Sequence, residues 1–237
     1  MLNFIKEKIE MYKVLWPSLG RSLMYGFGCL LFSFGAKFFI DAKLGVDPLD
    51  VLVLGIVGHI GLTIGIVSGA IALLFLGLWT VWNKKFPPIS PFITMSFVGT
   101  LIDIWNWTHL EKVTTPVLQP VPMLLAGLVL ASYGSALIIM SGIGIRIMDL
   151  VAITIVHKWK WSFFRAKMLF EVGFLASGWV LGGPVGIGTV LFVCVVGPFI
   201  QPFVWANAKF ASLPNYGYGK EGIELGKRLE IRLQQLS

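Results

Sequence analysis

The chain has 237 residues, 56% of them hydrophobic and only 13% charged, with a mean hydropathy of +0.82 and a formal charge of +7. Soluble domains carry about a quarter charged residues, so the composition excludes a soluble globular protein and points to an integral membrane protein. Its two cysteines, Cys29 and Cys194, both fall in apolar runs, which excludes a disulfide framework or a metal site built on cysteine.

Taken in chain order, residues 1–20 place Ile5, Ile9 and Val14 among Lys6, Lys8 and Lys13. That pattern predicts a cytoplasmic lead-in helix lying at the membrane interface. The first apolar run, 22–42, is too long for a signal-peptide core and lacks a small-residue cleavage site, so it reads as a retained span. Further runs at 62–82, 89–107, 121–141 and 185–205 are each long enough to cross a hydrocarbon core. A sixth, 163–182, carries Arg165, Lys167 and Glu171.

Two short segments, 46–60 and 145–158, lie between these runs. At about 14 residues, or roughly 21 Å as helix, they are too short to span without tilt or thinning. Asp47-Pro48 supplies a cap acceptor followed by a first-turn proline. Asp50 and Asp149 fall in or near the first helical turns, where negative charge suits the helix dipole. Non-helical backbone at membrane depth is tolerated where protein or water covers it, so broken segments of this kind are expected to line a cavity. The alternatives are an amphipathic helix lying flat at the interface, or a full crossing that would give eight spans. After the last run, 206–237 reads as a cytoplasmic amphipathic tail, able to lie on anionic lipid or meet a partner. Neither tail is a domain.

A local pattern repeats at a constant offset of 99 residues. Gly28, Gly35, Gly45 and Asp50 return as Gly127, Gly134, Gly144 and Asp149, and Gly99 returns as Gly197 at 98. The membrane part therefore divides into repeat 1, 21–108, and repeat 2, 121–205, each with three spans and one short broken or re-entrant helix. If the short segments do not cross, sixteen of the nineteen lysines and arginines face the cytoplasm, leaving Lys37, Lys43 and Lys112 outside. If both cross, Lys84, Lys85 and Arg146 move outside as well. The first arrangement fits the positive-inside rule better. With an odd number of crossings per repeat, the second copy is inverted relative to the first, an arrangement that many transporters share. Both termini are then cytoplasmic.

Ionisable groups at membrane depth are candidates for function by default. Glu171 shares a helical face with Lys167, and reads either as a coupling carboxylate or as half of a structural ion pair. Asp50 and Asp149 read either as paired binding groups about a two-fold axis or as helix caps. Asp103, matched by Gln201 in the second repeat, is expected near the outer surface and solvated. His59 and His157 end the short segments, and His157-Lys158-Trp159-Lys160-Trp161 reads as a cytoplasmic headgroup belt. Trp105 and Trp107 read as an outer belt, Trp79 and Trp82 as an inner one. No phosphate loop, dinucleotide fingerprint, zinc motif or catalytic triad is present, so neither an enzyme nor a cofactor is expected, and the basic residues beside spans do not suggest nucleic acid.

The ordered series Leu44-Gly45-Val46-Asp47-Pro48-Leu49-Asp50-Val51-Leu52, Gly61-Leu62-Thr63-Ile64-Gly65, Gly99-Thr100-Leu101-Ile102-Asp103, Arg165, and Gly182-Gly183 with Gly186-Ile187-Gly188-Thr189 resembles the YczE/YyaS/YitT family of bacterial membrane proteins. The likeness runs from about residue 20 to 203, and departs at Leu49, where the family often has tryptophan. The resemblance implies a polytopic permease of the bacterial cytoplasmic membrane, with no substrate named. The expectation is a small secondary transporter whose substrate or ion contacts are Glu171, Asp50 and Asp149, with Arg165 at the cytoplasmic mouth. Its partners would be the lipid bilayer and a small molecule, with homo-oligomerisation open. A lipid scramblase and a non-transporting scaffold or assembly factor are the competing readings.

Overall fold

A computed structural model of the chain describes residues 19–84, 87–161, 163–210 and 213. They form α1 (Leu19–Ala42), α2 (Pro48–Ile60), α3 (Ile64–Asn83), α4 (Ser90–Trp107), α5 (Glu111–Thr114), α6 (Pro120–Ser141), α7 (Ile147–Trp159), α8 (Phe163–Val180), α9 (Ile187–Leu191), a π-helical turn (Phe192–Val196) and α10 (Gly197–Phe210). No strand occurs among the described residues. The expected lead-in helix lies outside them apart from Leu19 and Gly20, which belong to α1, and the expected amphipathic tail lies outside them beyond Phe210 and Leu213.

Three helices, α1, α3 and α6, are long and apolar enough to cross a bilayer. The other predicted spans differ for physical reasons. In α4, Ser90, Pro91, Asp103 and Asn106 dilute the apolar run, and α8 carries Arg165, Lys167 and Glu171. The last run is interrupted at Phe192–Val196 by the π turn, and Pro202 lies inside the helix that follows. Large apolar side chains cover the exterior, among them Leu74, Val81, Trp107 and Val180, each more than 60% exposed. Soluble proteins rarely carry so large an apolar surface. The chain is a membrane protein whose described residues form helices and their connections.

The two short segments start differently. Asp47, with extended backbone, accepts a hydrogen bond from the Leu49 N–H at 3.1 Å, Pro48 occupies the first helical position, and Gly61 at φ +67° ends α2. Helix α7 instead starts from Arg146, whose backbone is extended and whose side chain makes no cap bond. Pro48, Leu49, Val51, Val53 and Gly55 of α2 are buried, so α2 does not lie flat on a surface.

Helices α1 and α6 pack most closely, and glycines set their crossing. A Cβ on Gly28 would stand 2.9 Å from the Gly134 carbonyl, and one on Gly35 would stand 2.8 Å from that of Gly127. Removing the side chain lets the backbones approach this closely. Because the contacts run 28 with 134 and 35 with 127, the two helices are antiparallel.

The remaining contacts order the ends of the bundle. At one end, the Arg21 Nε donates to the Ser141 carbonyl at 2.9 Å, joining the start of α1 to the end of α6. At the other, Lys37 of α1 lies 3.3 Å from Glu111. Trp79 donates to Thr154 at 2.8 Å and Lys158 to the Trp82 carbonyl at 3.2 Å, so α3 and α7 run side by side toward a common end. Helix α4 returns antiparallel to α3, with Gly65 against Gly99 and Thr100, and Gly69 against Ser96. The C-terminus of α2 meets that of α8, where His59 Nε2 lies 3.1 Å from the Leu181 carbonyl.

Asp103 corrects an expectation. Its carboxylate accepts hydrogen bonds from the Ile64 and Gly65 N–H groups at 2.9 and 2.7 Å, capping α3 from the neighbouring helix. The orphan amides of a helix start near membrane depth require such a partner, so the group is structural rather than merely solvated. Gly55, Gly65 and Gly69 serve packing, whereas Gly58 and Gly61 have open space where a Cβ would stand. Cys29 is buried between helices and Cys194 is exposed on the π turn.

Candidate functional site

The extended stretches before α2 and α7 meet inside the bundle. Arg146 Nη1 lies 3.2 Å from Asp47 Oδ2, with the two side chains 13% and 4% exposed. Arg146 Nε lies 3.5 Å from Asp149 Oδ2, one turn into α7, and the guanidinium stands 5.7 Å over the Phe32 ring. From α8, Lys167 Nζ lies 3.4 Å from Asp149 Oδ1 and 4.0 Å from Glu171 Oε1. The first of those is an ion-pair distance without hydrogen-bond alignment, so Asp149 Oδ1 has no hydrogen-bond partner, and neither has the buried Glu171 Oε2. Three carboxylates, Asp47, Asp149 and Glu171, thus share two cations, and Asp50 nearby makes no ion pair among the described residues. Burying a charge without a partner is costly, which makes this cluster the most conspicuous departure from an apolar interior.

Beside the cluster is a cavity of about 50 Å³, lined by Asp47, Asp50, Arg146, Asp149, Ser68, Thr94 and Ser135 among apolar side chains from α1, α2, α4, α6 and α10. At 10–15 Å³ per water, it holds about four waters. That is far below the roughly 300 Å³ at which sites for drug-sized molecules begin. Thr94 Oγ1 accepts a hydrogen bond from Tyr25 at 2.9 Å, while the buried Ser135 Oγ has no partner.

The expected site residues divide accordingly. Asp50 and Asp149 line the cavity, and Glu171 is buried next to Lys167. Lys167 is nearer Asp149 than Glu171, so the expected Lys167–Glu171 pair is one edge of a larger network. Arg165 is exposed near the start of α8 and does not line the cavity. The side chain of His157 lies outside the described residues.

Sequence reasoning treated Asp47 only as a helix start and Arg146 only as a loop charge. The signal that could have joined them was the 99-residue offset of the glycine pattern, since Asp47 and Arg146 are themselves 99 residues apart. Opposite charges at one repeat position can pair if that position lies on the symmetry axis.

Further contacts tie the two extended stretches to distant helices. Gly45 packs against Gly186 and Thr189 at the start of α9, and Gly144 packs against Thr94 of α4 and Tyr25. The Leu44 carbonyl accepts a hydrogen bond from the Gly188 N–H at 2.7 Å. The stretch before α2 therefore sits against the start of α9, and the stretch before α7 against α4. Glycine is required at position 45 twice over, by φ +103° and by the 2.5 Å that would separate its Cβ from the Gly186 nitrogen.

Comparison with known proteins places this geometry among uncharacterised relatives. The family described as a family of unknown function (DUF6198) matches residues 19–204. The uncharacterized membrane protein YczE of Bacillus subtilis is 29% identical over 182 residues, covering 76% of this chain and 84% of its own. The uncharacterized protein YyaS of the same organism is 28% identical over 185 residues, 78% of this chain and 92% of its own. An uncharacterized protein of Haemophilus influenzae is 26% identical over 208 residues, 84% of this chain and 91% of its own. No solved structure matches the chain.

Proposed function

We propose that this chain, which belongs to the DUF6198 family and is related to YczE and YyaS, is a small secondary transporter built from two oppositely oriented halves. The observation that carries the reading is the Asp47–Arg146 pair, made by repeat-equivalent residues at the starts of α2 and α7. The reciprocal glycine contacts of α1 with α6 support it, because equivalent helices run in opposite directions. Broken helices that begin at mid-depth, beside charged groups and between inverted halves, are the usual ground plan of secondary transporters.

In this reading each short segment re-enters, starting at the centre and returning to the side on which the preceding span ended. The termini, the end of α3 and the end of α7 face the cytoplasm, where most lysines and arginines would then lie. The cavity is the occluded form of a central site, and the Asp47–Arg146–Asp149–Lys167–Glu171 network is the bistable element around which the halves rock. The small volume restricts the occluded cargo to an inorganic ion or a molecule of a few heavy atoms. The protein is non-catalytic, uses no cofactor and binds no nucleic acid.

The test is thiol accessibility at the cavity wall. A single cysteine at Ile139, in a Cys29→Ala, Cys194→Ala background, is probed with an impermeant reagent on intact cells and on inside-out vesicles. Alternating access predicts labelling from both sides, each diminished when the opposite side is locked open. Protection from both sides under every condition would leave a non-transporting scaffold. Scrambling of a fluorescent lipid in proteoliposomes, insensitive to Arg146→Gln, would favour a lipid pathway instead.

A further inference from the structure

Among the charge differences between the two halves, one lies at Asp50 and points to a ligand. In the second half, Asp149 has the Lys167 ammonium beside it at 3.4 Å. The equivalents, 99 residues earlier, are Asp50 and Ser68. Asp50 thus has a hydroxyl where its counterpart has a cation, and among the described residues no hydrogen bond or ion pair reaches its carboxylate. The space is open, because Asp50 and Ser68 line the same cavity.

Two further hydroxyls line that cavity. Thr94 is 2% exposed and Ser135 is 5% exposed, and the Ser135 Oγ has no hydrogen-bond partner. A buried, unsatisfied hydroxyl at the wall of a cavity calls for a ligand. One carboxylate and three hydroxyls are hard oxygen donors, the type that suits alkali and alkaline-earth cations rather than soft metals. Among the described residues Asp50 is the one of the cluster's carboxylates without an ion pair, and Arg146 lines the same cavity, so a single positive charge is favoured over a divalent ion. The volume admits a small ion with a water or two.

We propose that the cavity is a sodium site, with Asp50 as the charged ligand and Ser68, Thr94 and Ser135 as neutral oxygen ligands. The bound ion takes the place that the Lys167 ammonium holds in the other half. The inference rests on the two-halves reading above for the equivalence of positions 68 and 167, and it supplies that reading with a coupling ion.

The test measures binding rather than flux. Full-length protein in detergent is melted in sodium, potassium and choline chloride at fixed ionic strength and pH. Sodium is expected to raise the midpoint saturably, with potassium weaker and choline inert. Asp50→Asn should abolish the response, and Ser68→Ala or Ser135→Ala should raise the half-saturating concentration about tenfold, the loss of one charge-assisted contact. Ser68→Lys should melt without sodium where the unaltered protein melts with it, and should ignore added sodium. The proposal is overturned if choline acts as sodium does, if Asp50→Asn keeps the response, or if the midpoint follows pH and not sodium, which would make Asp50 a proton site. Should Asp50→Asn fail to fold, the serine variants and Ser68→Lys decide the matter. Sodium binding without flux would refute transport and leave the site, whereas flux without a sodium effect would refute the site alone.

Discussion

Separating Asp47 from Arg146 is the perturbation with the clearest energetic consequence. Their 3.2 Å contact has a gross attraction of about 5 kcal/mol at an effective dielectric of 20. Desolvation of both groups offsets part of that, so a double-mutant cycle should return a coupling of about 2–3 kcal/mol. Asp47→Asn is the milder single change, because asparagine still accepts from the Leu49 N–H and keeps the cap. Arg146→Gln is more damaging, since the guanidinium also serves Asp149, and its cost should be about 3–5 kcal/mol, typical of a buried charge stripped of its partner. The double variant should recover much of that loss, because Asp47 no longer carries an unpaired charge. Denaturant unfolding in mixed micelles, followed by tryptophan fluorescence, measures all four proteins. Additivity of the two single changes to within about 0.5 kcal/mol would mean the groups do not interact, and the axial placement of the pair would be refuted.

Other parts of the fold give independent checks. Gly134→Ala places a Cβ 2.5 Å from the Phe32 nitrogen, so it should destabilise the α1–α6 crossing by about 1–3 kcal/mol. A lower melting midpoint in size-exclusion thermostability would show it, while Gly20→Ala, which meets nothing within 4 Å, should be neutral. Asp103→Ala removes the acceptor for two amides at the start of α3 and should cost about 1–2 kcal/mol by the same melt, with Asp103→Asn intermediate. At the end of the bundle that gathers Lys37 and Glu111, the Glu111 carboxyl is held below the usual carboxylate range, first by its own backbone N–H, then by His109 and Lys37. A depressed folded-state value stabilises above the unfolded value and is lost as pH falls through the depressed one. Acid titration of the unaltered protein should therefore show a loss that Glu111→Gln lacks.

The sequence made the class, the helices and the two short segments legible because their signals are local. Apolar runs, Asp47-Pro48 and Gly61 act within a few residues. The positions of Asp50, Asp149 and Glu171 followed from depth in those runs. What was not legible depended on partners distant in sequence. Asp103 looked like a surface carboxylate because the amides it caps belong to another helix. Lys167 looked committed to Glu171 by helical spacing, yet Asp149 on α7 is nearer. Arg146 drew attention only as a loop charge until the antiparallel glycine contacts brought position 146 against position 47. Arg165 was chosen for its charge at the head of a span, and its exposure separates it from the cavity.

The opposed orientation of the two halves is tested most directly by which side of the membrane three single cysteines face. Asn83→Cys after α3, Trp161→Cys after α7 and Thr108→Cys after α4, each in the Cys29→Ala, Cys194→Ala background, are treated with an impermeant thiol reagent before and after permeabilisation. Labelling of position 108 on intact cells, with 83 and 161 labelled only after permeabilisation, is the predicted result. Labelling of 83 and 161 on opposite sides would put the equivalent halves in the same orientation, and the central Asp47–Arg146 axis would fall with it.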